Sequence, residues 1–263
     1  MYYLRLLRSF MRVSLQEEMA YRANFFISAL NSLLSLGTGV LGLVVLFSQV
    51  NAIHGWTFPA TLALLGTYLV LSALRAMVMG TSFDRLAGLD GEIWTGRFDF
   101  TLLRPLPVQF LASFRYWKLL PVIDLSLGTG VLVIAVARMQ QTLTLWQGVT
   151  FLVALCTGIL LLYALLLIFV SLVFWSAGFL FTWVFDGLFQ MARYPLGLYP
   201  GWTQLILTWI IPIGIMTTVP AQALTGSLSA LTLIGFFVFA LALVIGASLL
   251  FKFGLRRYAS ASS

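Results

Sequence analysis

The chain has 263 residues, 61% of them hydrophobic and only 9% charged, where ordinary globular domains carry roughly 25% charged residues. This excludes a soluble fold, which would need one large apolar core with almost no charged shell, and places the chain among membrane proteins. The net charge of +7 does not point to nucleic acid, because the basic residues stand singly beside apolar segments instead of forming a stripe with interleaved aromatics. A single cysteine, Cys156, leaves no disulfide framework and no multi-cysteine metal site.

The first 22 residues show no apolar core followed by a small-residue cleavage site, so they do not read as a secretory signal. Arg5, Arg8 and Arg12 fall on one helical face and Leu4, Leu7 and Met11 on another, which predicts a helix over 1–22 lying at the membrane surface. The charge-free run 25–47 exceeds the ~20 residues needed to cross the hydrocarbon layer. A second span is expected over 57–80, with Arg75 snorkelling to the near surface. A polar loop follows over 82–113, then a third span over 116–137. The long uncharged stretch between Arg138 and Asp186 accommodates two more, at 147–171 and 174–193. The segment 203–218 is apolar but short and broken by Pro212, with Pro220 just beyond it, and 230–251 is the last span.

Basic residues flank the first span, fill the 82–113 loop and follow the last span, so the positive-inside rule puts all three in the cytosol. Seven crossings would separate the two ends, and 203–218 is therefore expected to enter and leave on one face, where protein can cover its irregular backbone. The expected fold is all-α: one polytopic domain in the cell membrane with six transmembrane helices, a surface helix, a re-entrant segment and both termini cytosolic. Ser35, Gly39 and Gly42 recur in the first span, as in helices that pack closely.

In the 82–113 loop, Phe83, Leu86, Ile93 and Trp94 alternate with Asp84, Arg85, Asp90 and Glu92, while Pro105 and Pro107 stop helix propagation. Short helices are expected there, apolar on one side with carboxylates exposed on the other. Glu92 stands four residues before Gly96, followed by Asp99, Leu102, Leu103 and Pro105. In this order the loop resembles that of permease subunits of ABC-2 type ATP-binding cassette transporters. The proline-punctuated stretch "YPLGLYPGWTQLILTWIIPIGIMTTVPAQALTG", residues 194–226, is similar to a segment between the fifth and sixth spans in a subfamily of them. Arg97 and Phe98 depart from the threonine and leucine common in the wider family.

The resemblance implies an ATP-driven exporter. The sequence contains no G-x-x-x-x-G-K-[ST] phosphate loop, so ATP would be bound by a separate ATPase and the permease would need no cofactor of its own. Glu92, Gly96, Asp99, Leu102, Leu103, Arg104 and Pro105 would form the coupling region seated in that ATPase, the two carboxylates pairing with basic groups while Leu102, Leu103 and the prolines fix the loop against the membrane. A second permease copy or a sister permease would complete the pore.

Asp124 and Asp186 fall in expected spans, where a carboxylate costs roughly 2.5–3.5 kcal/mol at mid-membrane. Asp124 either reaches back to the cytosolic interface or lines the substrate path. Asp186, with Gln190 one turn later, either contacts substrate or pairs with another span. The alternative function is an ion-coupled secondary transporter using Asp124 and Asp186, although no duplicated half with matching broken helices is present.

Overall fold

The computed structural model describes residues 2–19, 22–139, 143–176 and 181–258. Helix α1 (Tyr2–Met19) is followed by α2 (Arg22–Phe47) and by a two-strand hairpin pairing Ala52–Ile53 with Trp56–Thr57. Helix α3 (Phe58–Leu74) opens with Pro59 in its first turn, where the missing N–H costs nothing. It runs through one π-helical turn (Arg75–Met79) into α4 (Gly80–Ala87). Short helices α5 (Phe98–Leu102) and α6 (Val108–Phe114) precede α7 (Val122–Arg138) and α8 (Leu145–Ser171). Helix α9 (Phe181–Phe189) and a 3₁₀ turn (Gln190–Arg193) lead to α10 (Gly201–Leu205), α11 (Ile213–Thr225) and α12 (Ala230–Arg257).

Among the described residues four helical stretches are long and apolar enough to cross a membrane: Phe25–Phe47, Phe58–Ala87, Leu145–Phe174 and Ala230–Arg257. A fifth exists if Gly201–Ile210 and Ile213–Thr225, bent by 88° at Pro212, count as one. The Phe58–Ala87 and Leu145–Phe174 windows are 67% and 56% buried, against 17% for α2 and for α12, so α3 and α8 form the centre. The outer helices carry their apolar side chains on the outside, as helices bathed in lipid do.

Close packing comes from glycines that the sequence did not single out. A Cβ on Gly66 of α3 would come within 3.0 Å of the Leu132 backbone nitrogen, and one on Gly128 of α7 within 3.0 Å of that of Val70. The two helices therefore meet backbone to backbone, as small residues permit in membranes. Gly39 and Gly42 of α2 instead make room for the side chains of Arg193 and Tyr194.

Three expectations need correction. The helix of the expected second span runs on to Ala87, so the non-helical loop begins at Gly88 and not at 82. Helix α7 begins at Val122 and not near 116, because Pro121 precedes it and residues 116–119 form no regular element. Arg75 does not snorkel: its side chain is 14% exposed and forms an ion pair with Asp186. Of the expected span 174–193, residues 174–176 close the end of α8, residues 177–180 lie outside the described residues, and 181–193 are the short α9 with its 3₁₀ extension.

Candidate functional site

The loop between α4 and α7 is built around Glu92. Its carboxylate accepts hydrogen bonds from the Thr101 hydroxyl (2.5 Å), the Tyr116 hydroxyl (3.0 Å) and Arg115 Nη1 (3.0 Å). Glu92 and Arg115 are 14% and 19% exposed. Burial, and next the Glu92 charge, push the Tyr116 phenol above its usual range, against the lowering effect of Arg115. Gly96 has φ of +72°, a left-handed conformation that would cost other residues about 1–3 kcal/mol. That turn lets the chain double back, so the Phe98 N–H reaches the Glu92 carbonyl at 2.9 Å.

Helix α5 has two faces. Phe98 is fully buried, its ring 5.1 Å from Tyr258 and 6.0 Å from Phe174; Phe174 in turn lies 5.5 Å from Phe251. These contacts join the loop to the ends of α8 and α12. Burial, and then the neighbouring Asp99 carboxylate, push the Tyr258 phenol up to about 12. On the other face Phe100 is 70% and Leu103 82% exposed; Leu102, Arg104 and Pro105 are exposed too. The carboxylate expected to face a partner at position 92 is thus turned inward, and the outer face is apolar and basic. Helix α6 adds a second attachment, with Gln109 Nε2 donating to the Tyr163 hydroxyl of α8 and to Ser248 Oγ of α12, both at 3.0 Å.

Residues 116–119, outside any regular element, take their backbone partners from three distant elements. The Tyr116 N–H donates to Ser82 Oγ (2.9 Å), Trp117 to Ser14 Oγ (3.2 Å), Lys118 to the Met77 carbonyl (2.8 Å) and Leu119 to Glu18 Oε2 (2.6 Å). The π-helical turn of α3 supplies one of these, because its i to i+5 pattern, with Gly80 N–H on the Arg75 carbonyl, displaces carbonyls from the α ladder. Met77 gives its oxygen to Lys118, and Ala76 gives its own to the Thr81 hydroxyl at 2.8 Å. Sequence reading missed Ser14, Glu18, Ser82, Arg115 and Tyr258, whose partners lie far along the chain.

The polar groups of the expected spans separate into two kinds. Asp186 is held by Arg75, whose guanidinium also lies 5.3 Å and 5.9 Å from the Phe185 and Phe189 ring centroids. Asp124, in the first turn of α7, lines a cleft of about 1200 Å³ with Ser28, Asn31, Ser32, Ser35 and Ser72. Gln190 is exposed outside that cleft. Arg193 donates to the Ser35 carbonyl of α2. Pro220 sits inside α11, where its missing N–H frees the Met216 carbonyl, and a Cβ on Gly158 of α8 would come within 3.0 Å of that oxygen. His54, Gly201 and Gln222 line one cavity of about 540 Å³; His54, Gln222, Thr225 and Ser227 line another of about 730 Å³.

A family model described as "ABC-2 family transporter protein" matches residues 33–262. The chain belongs to the ABC-2 transporter family. No curated protein and no solved structure matches it. As an ABC-2 permease it is a multi-pass membrane component of a transporter and not itself catalytic, and membership implies partnership with an ABC ATPase. Membership gives no support to ion-coupled secondary transport. The loop, the Arg75–Asp186 pair and the bent α10–α11 segment all fall within the ABC-2 match, whereas α1 precedes it.

Proposed function

We propose that this permease is the substrate-conducting subunit of an ATP-driven exporter and that its 88–121 loop seats in a separate ATPase. The observation that carries this reading is the two-faced α5: Phe98 is packed on the ends of α8 and α12, while Phe100, Leu103 and Arg104 face outward. A partner gripping the outer face would move both helices through the inner one. Six crossings with cytosolic termini fit the charge pattern, and α10–α11 is the re-entrant segment. That reading is supported by the cavities shared by His54 and Gln222, which bring Gly201, at the start of α10, and Thr225, at the end of α11, to the side of the hairpin. The cleft bearing Asp124 is the substrate entrance, and a second permease completes the pore.

The test uses the permease and the ATPase recovered with it from native membranes. Permease alone hydrolyses no ATP. Reconstituted with that ATPase in vesicles, it increases ATP hydrolysis, and Leu103→Ser abolishes the increase while leaving the permease folded. Stimulation unchanged by Leu103→Ser removes the loop from the docking surface.

A further inference from the structure

We propose that the loop docks onto an acidic, apolar groove of the ATPase, and that a carboxylate of that partner enters a slot rimmed by Arg85, Arg97 and Arg104. This rests on the reading that the loop seats in an ATPase. The slot measures about 310 Å³ and is lined by four arginines but only two carboxylates, Asp90 and Glu92. Glu92 is committed to Arg115, Tyr116 and Thr101, and Arg85 lies 3.9 Å from Glu17 of α1. Among the described residues no carboxylate pairs with Arg97 or Arg104.

Arg97 is also preorganised. Its Nε donates to Thr95 Oγ1 and its Nη2 to the Asp90 carbonyl, each at 3.0 Å, which fixes the planar fork without neutralising it. A guanidinium held this way suits a carboxylate, because little side-chain freedom is lost on binding. The direction of the surface selects a protein over lipid. The face of α5 bearing Phe98 and Thr101 is buried toward the spans, so Phe100, Leu103 and Arg104 on the opposite face point away from them. Apolar anchors beside unmatched cations call for an apolar groove with acidic side chains, a sign opposite to the one implied by Glu92 and Asp99 in the sequence.

The experiment measures binding of the purified ATPase to full-length permease in bilayers of phosphatidylcholine alone and of phosphatidylcholine with phosphatidylglycerol. Wild-type affinity falls as salt rises from about 0.05 to 0.5 M. The double variant Arg97→Glu, Arg104→Glu binds at least about tenfold more weakly in both bilayers, because it sets like charges against the groove. Arg104→Lys, which keeps the charge, stays within about threefold of wild type. Leu103→Ser weakens binding without changing its salt dependence. If the double variant binds like wild type while Leu103→Ser does not, the slot carries no partner carboxylate and only the docking reading survives. If neither change matters, both readings fall. A defect seen only with phosphatidylglycerol overturns the inference by assigning the arginines to an anionic lipid.

Discussion

Arg75 and Asp186 hold each other between the second and fifth helical segments, and either one alone would be a charge at membrane depth without a counter-charge. Asp186→Asn should therefore lower the thermal midpoint of the detergent-solubilised permease. The loss should be smaller than the about 3–5 kcal/mol found when a fully buried pair is broken, since the Asp186 side chain is 43% exposed. Adding Arg75→Gln should recover part of it, and a double variant less stable than Asp186→Asn would mean that Arg75 acts through its aromatic contacts instead. Tyr258 gives a second residue-scale test. Its hydroxyl is raised to about 12 in the folded chain, so the folded state retains that proton where the unfolded state, with a phenol near 10, has lost it. The stability this contributes is complete below about pH 10 and is lost as pH climbs through about 12. Tyr258→Phe should show a shallower alkaline loss of stability than wild type, and identical profiles would place the hydroxyl away from Asp99.

At the scale of elements, the irregular residues 116–119 show where sequence reading stopped. The periodicity and length of α2, α8 and α12 were legible because a helix satisfies its own backbone and needs only a long apolar run. The start of α7 was not, because Trp117 and Leu119 find their acceptors on Ser14 and Glu18, about a hundred residues away, and no local pattern encodes that pairing. The loop was half legible. Its short helices and their proline breaks followed from the order of residues, whereas the left-handed turn at Gly96, the outward Leu102 and Leu103 and the inward turn of Glu92 depend on contacts such as Arg115 and Tyr116 beyond the motif. Ser14→Ala should leave the Trp117 amide without an acceptor, a loss of about 1–3 kcal/mol for a buried donor. Hydrogen exchange at residues 116–119 should accelerate while α8 stays protected, and unchanged exchange would show that α1 is a bystander.

At the scale of the molecule, the bent α10–α11 pair decides the number of crossings. In a Cys156→Ser background, cysteines replacing Ser48, Gly201 or Ser227 should all react with an impermeant thiol reagent in intact cells. A cysteine at Leu103 should react only after the membrane is opened. Gly201 has open space for a side chain, so the substitution there is sterically neutral. Labelling at only one of Gly201 and Ser227 would make α10–α11 a full crossing and put the chain ends on opposite faces. The clasp between α1 and residues 117–119 also imposes an order in time. A ribosome adding about 5–20 residues per second delivers Trp117 on the order of 5–20 s after Ser14. Before then α1 can reach Arg85 of α4 through Glu17, but not residues 117–119. At a bilayer surface its exposed Leu4, Met11 and Val13, interspersed with Arg5, Arg8 and Arg12, would hold α1 until the clasp can close.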